Sequence, residues 1–559
     1  MPRVLLPRCS RVARVAALRL PVALTLAVAP LAPSALHAQV RPISAAEIDG
    51  YLRFLSSDLL EGRAPATRGD KLTVEYLASQ LRAFGVEPAV NGSYIQKVPI
   101  DIIDAQPATM RVQATGKAAA RLRYPEDVVI WGGSAVPQSA AKAEIVFAGY
   151  GAVAPEYGWS DFKDVDVKGK ILLVLVNDPP APIGEPKLFG GRAMTYYGRW
   201  PYKFEEAERQ GAAGALIVHT TERAGYPWHT VTGSWAKEQR ILPRDPKLPA
   251  PLGFRGWITD SAATAMLAQA GLDLAALRQQ AESRAFRPVP TGITLDVAFR
   301  NTVSHLESAN VVGLVRGQHP ARRNEYVVMS THWDHLGIGP KVNGDSIYNG
   351  ALDNASGTAN LLAVARVLAQ SPAPPRSILF SFVTAEESGL LGSTYFAENP
   401  PVPAVSMVAN LNMDGGNVLG RTRDLNVLGD TKSSLGPQLS AFIRPQGMRI
   451  TPEEFPERGS FYRSDHFAFA KIGVPSVSIG EGNEYEGRPK GWGTKQGEDY
   501  TAHRYHQPTD EYRADWDLRG AVQLSNIVLS FTRSLAGSTA WPTWNKDAEF
   551  QRPVKKPTM

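Results

Sequence analysis

The 559-residue chain contains one cysteine, Cys9. A single thiol excludes an internal disulfide framework and every cysteine-based structural zinc motif, so any metal site must be built from His, Asp and Glu. Long apolar runs are also scarce. The most extended, Leu20 to Leu31, is broken by proline and falls short of the ~20 residues that a membrane-spanning helix needs. A strong excess of one charge is missing too. The formal net charge is +6, and Arg3, Arg8, Arg11, Arg14 and Arg19 supply most of it. The rest of the chain carries about +1, which leaves no basic stripe for nucleic acid or an anionic membrane surface. Heptad and collagen-like repeats are absent.

Those five arginines, the apolar stretch and the small residues leading to Leu36-His37-Ala38 are arranged as in a secretory signal peptide. Residues 1–38 are therefore expected to be removed, giving a secreted or periplasmic protein without a stable membrane anchor. The remaining ~520 residues suffice for two or three domains with sizeable cores.

Ile48, Leu52, Leu55 and Leu59, then Tyr76, Leu77, Leu81 and Phe84, recur at helical spacing. From about Arg121 to Thr220 the text changes to short apolar runs punctuated by Gly and Pro: Glu144 to Ala148, Ile171 to Val176 and Ala215 to His219. This reads as a β-rich insert. Helices are expected at Tyr202 to Gln210, Ala262 to Ala270 and Leu272 to Ala285. Beyond about Thr291, apolar strands (Tyr326 to Ser330, Ile378 to Thr384, Val405 to Asn412, Pro475 to Ile479) alternate with loops and with a helix from Ser356 to Ala369. That pattern predicts an α/β fold with a mixed, largely parallel central sheet sandwiched by helices. The expected division is 39–130 and 288–540 for the main domain, 131–287 for the insert with its connecting helices, and 541–559 for a C-terminal tail.

Open α/β sheets gather ligands at the carboxyl ends of their strands, and residues that bind metals follow several of these strands. Tyr326 to Ser330 runs into Thr331-His332-Trp333-Asp334. His332 suits a metal ligand whose ring Asp334 orients, although a plain loop histidine beside a solvated aspartate has the same text. In Asn349-Gly350-Ala351-Leu352-Asp353-Asn354, either Asp353 or Asn354 serves as a helix cap, and Asp353 equally suits a carboxylate bridging two metals. Glu386-Glu387 ends a buried strand. Adjacent carboxylates there repel unless a cation compensates. The two neighbours point in different directions, so one can bind a metal while the other takes the proton of a water that the metal makes acidic. Asp414, after Leu411-Asn412-Met413, and His506, within Tyr505-His506-Gln507-Pro508-Thr509-Asp510, complete the set. Nitrogen and oxygen ligation without sulfur suits zinc, with cobalt or manganese as substitutes.

In this order the residues resemble the two-zinc exopeptidases of metallopeptidase family 28, from about Ile43 to Arg533. The resemblance implies that His332 and Asp414 hold one zinc, Glu387 and His506 the other, and that Asp353 bridges them. It implies Glu386 as general base, Asp334 as the partner of the first histidine, and a cis peptide after Asp353. Val146 to Gly151, Val167 to Ile171 and Gly211 to Ala215 are similar to a protease-associated domain, which implies a non-catalytic module beside the site, either a lid or a packing element. Ser464-Asp465-His466 resembles a segment lining the substrate pocket, and Tyr462 is a candidate donor to the developing oxyanion. His305, His335 and His503 are set aside as surface or supporting groups.

A peptide or protein substrate follows from the resemblance, and the family's make-up favours an aminopeptidase. The expected rim is mixed, with Glu481, Glu484 and Glu486 beside Arg463, Arg488 and Lys490. A carboxypeptidase or dipeptidase, a one-zinc glutaminyl cyclase and a non-catalytic receptor-like module are the alternatives. A serine hydrolase lacks its Gly-x-Ser-x-Gly elbow.

Overall fold

The apolar runs become strands because both faces of each are covered. In the computed structural model, which describes residues 40–552 apart from 118 and 183, Ser377–Val383 and Met407–Asn412 are buried at every position. The expected signal peptide, with Cys9, and the last residues of the chain lie outside the described residues.

Tyr326–His332 runs parallel between Ser377–Val383 and Met407–Asn412, and Ser476–Glu481 lies parallel beyond the latter. Antiparallel neighbours flank this centre: Val289–Val315 along Ser377–Val383, and Asp424–Leu428 along Ser476–Glu481. Alternate residues of one strand face opposite helical layers. Val328 packs with Phe396 and Phe469, from helices Leu391–Glu398 and His466–Lys471. Met329, on the other face, meets Thr532 of helix Arg519–Gly537. Helix Gly357–Gln370, on that same face, is buried from Gly357 to Leu368, as its nearly all-round apolar text requires. The expected mixed, largely parallel sheet between helices is present. No helix among the described residues is long and apolar enough to cross a membrane.

The 27-residue strand Val289–Val315 belongs to two sheets. Its second half pairs with Ile95–Ala105 and Ser377–Val383, and its first half with Arg111–Thr115 and Gln138–Phe147. The second sheet continues through Ile171–Leu175, Gly214–His219 and Arg255–Thr259, and ends on the antiparallel Val128–Trp131. Apolar cores cover both of its faces. Phe147, Ile258, Leu267 and Leu277 lie on one and Trp131, Phe204 and Trp257 on the other.

Two boundaries differ from expectation. The second sheet begins at Arg111, ahead of 131, because Arg111–Thr115 alternates exposed and buried residues and has no apolar run to betray it. Residues 541–552 of the expected C-terminal tail pack on the rest of the fold. Trp544, Ala548 and Phe550 are buried in an apolar cluster with Tyr196 and Tyr462, and Glu549 pairs with Lys432 at 3.1 Å.

Candidate metal centre

The carboxyl ends of the parallel strands converge on one site. His332 is the last residue of its strand, Glu386 and Glu387 follow Ser377–Val383, and Asp414 follows Met407–Asn412. His332 Nε2 lies 3.4 Å from Asp353 Oδ1 and 3.2 Å from Asp414 Oδ1. His506 Nε2 lies 3.4 Å from Asp353 Oδ2 and 3.0 Å from Glu387 Oε2. Asp353 thus turns one oxygen to each histidine. The peptide bond between Asp353 and Asn354 is cis.

Neighbouring groups fix these positions. The Asp510 carboxylate accepts the Leu352 and Asp353 amides, each at 3.1 Å, and the Tyr500 hydroxyl, also at 3.1 Å, so the segment carrying His506 also holds the Asp353 loop. Asn354 Oδ1 accepts the amides of Gly357 at 3.0 Å and Gly415 at 2.8 Å, tying the Asp353 loop to the Asp414 loop. Buried Asp334 accepts the Glu386 amide at 3.1 Å. Its backbone carbonyl lies 3.2 Å from His332 Nδ1, while its carboxylate is 3.8 Å from that nitrogen. Orientation of the ring therefore falls mainly to the carbonyl.

The charge states reflect crowding. Burial alone would raise the pKa of Asp353, but the imidazoles of His332 and His506 close against it hold it well below the usual carboxylate range. Burial and Asp353 push Glu387 up, and the hydrogen bond from His335 and the nearby His506 ring outweigh them. Burial, with Glu387, Asp414 and Asp465 nearby, drives Glu386 well above its ordinary value despite His332. Burial also pushes Asp334 up to about 8.

Is this a site for divalent ions? Two ligands bound at about 2.0–2.1 Å in a tetrahedral zinc site stand about 3.3–3.4 Å apart. The four histidine–carboxylate separations above, 3.0 to 3.4 Å, match that edge. His506 Nε2 is buried and makes no aligned hydrogen bond, which suits a nitrogen aimed at an ion. Donor atoms of His332, Asp353 and Asp414 form one group, and those of His335, Asp353 and Glu387 another, each within 4.8 Å of one another. The donors fit.

Residues 310–532, which hold every one of these groups, match the model of peptidase family M28. Leucine aminopeptidase 2 of Trichophyton equinum is 27% identical over 277 residues, 46% of this chain and 52% of the relative. A probable glutamate carboxypeptidase of Arabidopsis thaliana is 25% identical over 551 residues, 89% of this chain and 66% of the relative. The chain thus spans about half the length of the leucine aminopeptidase it matches. An aminopeptidase from Aneurinibacillus sp. strain AM-1 is a solved structure similar at TM-score 0.45 and 18% identity, over 92% of this chain and 97% of that one.

Around this site a cavity of about 480 Å³ is lined by His332, Asp353, Glu386, Asp414, Ser464 and Tyr505, among others. Ser464 lines the cavity, its hydroxyl accepting Asn412 Nδ2 at 2.8 Å. Asp465 is wholly buried and does not line the cavity; burial pushes its carboxyl to about 7. Tyr462 is a correction. Its hydroxyl donates to Glu549 and accepts Lys432 Nζ at 2.9 Å, so it points into the seam with the second sheet's domain and does not line the cavity. His305 pairs with Asp101 on the long strand and His503 with Asp499 on an exposed helix face. His335, set aside with them, is buried in the site with Nδ1 2.6 Å from Glu387 Oε1.

Two residues had no signal in the text. Tyr505 stacks on His506 at 3.9 Å between ring centroids. Arg63 lies more than 250 positions from the nearest site residue in sequence, yet donates to the carbonyls of Trp333, Asn349 and Gly350.

Proposed function

We propose that the protein is a secreted, two-zinc exopeptidase, and specifically an aminopeptidase. The observation carrying this reading is Asp353, whose two oxygens face two different histidines at the same 3.4 Å. That is what a carboxylate shared by two ions requires. His332 and Asp414 would hold one zinc, Glu387 and His506 the other. Bound zinc supplies Lewis-acid polarisation of the scissile carbonyl and acidifies the attacking water. Glu386 takes the water's proton and returns it to the leaving amine. Burial is the main cause of its raised pKa, and of the carboxylates that add to it, Glu387 and Asp414 are ones whose charge two dications would neutralise, which favours an ionised Glu386 in this role. Tyr505, on the cavity wall, is placed to donate to the developing oxyanion, the part expected of Tyr462.

Sorting of the rim charges supports the choice of terminus. Glu484 pairs with Arg449, Glu486 pairs with Arg421 at 3.4 Å, and Arg488 lies over Trp492. Glu481 stays in the cavity with no ion-pair partner among the described residues, at the end of the strand beside the one leading to Asp414. Neighbouring strands are about 4.8 Å apart, so Glu481 and Asp414 together suit a substrate ammonium. Arg463 also lines the cavity, and it favours a second reading in which a substrate carboxylate is bound.

The domain of the second sheet, read as protease-associated, reaches the cavity wall from behind. The Met194 amide donates to the Pro456 carbonyl at 3.0 Å, and Tyr196 packs on Tyr462 at 5.8 Å. This supports a role in shaping the wall formed by Ser460, Arg463 and Ser464.

The test is Glu386→Gln, assayed on free, N-acetylated and C-amidated leucyl peptides with and without chelator. The variant should keep its zinc and lose about 10²–10⁴ in kcat. Acetylation should abolish cleavage by the wild type, and amidation should not. Near wild-type turnover in the variant would refute the role of Glu386, and tolerance of acetylation would refute the terminus.

A further inference from the structure

The contacts among six groups at the centre divide by distance. Four histidine–carboxylate contacts fall at 3.0 to 3.4 Å, the spacing of two ligands on one tetrahedral ion. The fifth, His335 Nδ1 to Glu387 Oε1, is 2.6 Å. That is too short for two ligands of one zinc and is a charge-assisted hydrogen bond. A carboxylate only accepts, so the proton is on Nδ1. His335 holds Oε1 while Oε2 faces His506 at 3.0 Å, so the two oxygens of Glu387 have separate tasks.

The chain makes room for this ring. Gly350 has φ +56°, and a Cβ there would fall 2.4 Å from His335 Cγ and 2.6 Å from Cδ2. His335 is 1% exposed, against a loop that only glycine leaves open. We propose that His335 is a positioning residue of the second metal site: it fixes Glu387 through one oxygen, so that only the other meets the ion. The inference rests on the two-metal reading. Partners that orient a metal ligand in this way typically account for 10–100-fold in affinity. Among the described residues nothing equivalent holds Asp414, whose one histidine contact there is with His332, so loss of His335 weakens one site and spares the other.

The experiment titrates chelator-stripped full-length protein with Co²⁺, followed by ligand-field absorption, and with Zn²⁺ against a chromophoric chelator. Asp414→Ala identifies the first site's signal. The expected result is that His335→Ala binds the second ion about 10–100-fold more weakly, with the first unchanged. His335→Asn, whose amide nitrogen can replace Nδ1, should restore most of the loss, and it carries the test if the alanine variant fails to fold. Wild-type affinity at both sites in His335→Ala, equal weakening of both, or no rescue by asparagine would overturn the proposal. Failure of the wild type to bind two ions would instead overturn the reading beneath it.

Discussion

Arg63 gives the sharpest test of how the site is held. It is 1% exposed with φ 54°, and its guanidinium donates to the carbonyls of Leu55, Trp333 at 2.8 Å, Asn349 at 2.6 Å and Gly350 at 2.9 Å. Two of those carbonyls belong to the loop that presents Asp353, and a third follows His332 directly. Burial lowers its pKa to about 10, and Asp334, Asp510, Asp353 and Glu387 work against that fall. Arg63→Met removes every donor and leaves four carbonyls to be resolvated or strained. At about 1–3 kcal/mol for each buried polar group left unpaired, and with neighbours not additive, the net loss should be about 3–5 kcal/mol. Local opening of residues 331–335 and 349–355 should then become about 10²–10⁴-fold more frequent. Hydrogen exchange followed by mass spectrometry on metal-free protein reads this directly, without requiring two-state unfolding. Arg63→Lys should fall close to Met, because one ammonium cannot reach carbonyls spread around a planar fork. Unchanged exchange in those two segments of Arg63→Met would refute the reasoning.

Asp161 is fully buried and accepts the Ala152 amide at 2.9 Å and Trp159 Nε1 at 2.8 Å, and burial raises its pKa from 3.8 to about 6. A folded pKa above the unfolded one means that the stability it contributes is complete below 3.8 and lost as pH rises through about 6, about 3 kcal/mol in all. Urea midpoints of the wild type should therefore fall between these limits more steeply than those of Asp161→Asn; parallel slopes would count against this account. Ending the chain at 540 removes Trp544 and Phe550 from their cluster and Glu549 from Lys432 and Tyr462. The loss should be at least about 3–5 kcal/mol, read as a lower melting temperature, and an unchanged melting curve would contradict it.

Much of the catalytic layer was legible along the chain. Strands covered on both faces leave apolar runs, and their ends mark where ligands gather, so His332, Asp353, Glu386, Glu387, Asp414 and His506 could be named from text alone. Strand Arg111–Thr115 and the segment around Trp544 were missed because half-exposed alternation and irregular packing leave no period. His335 and His503 look alike in sequence, each a histidine next to or near an acidic residue. Only burial against Gly350 separates the one that grips Glu387 from the one on a solvent-facing helix. Tyr462 was placed on the wrong side of the wall for the same reason: a tyrosine's side is set by what packs behind it, here Lys432 and Glu549.

The sequence by itself determined the donor chemistry on offer, since the lack of any cysteine beyond Cys9 confines it to nitrogen and oxygen donors and the strand ends name candidates. Tertiary structure alone decided which oxygen of Asp353 faces which histidine, which imidazole supports Glu387, and that Arg63 holds the site from behind. Those are contacts between residues up to several hundred positions apart, and a local pattern carries no record of which distant groups folding brings within 3 Å.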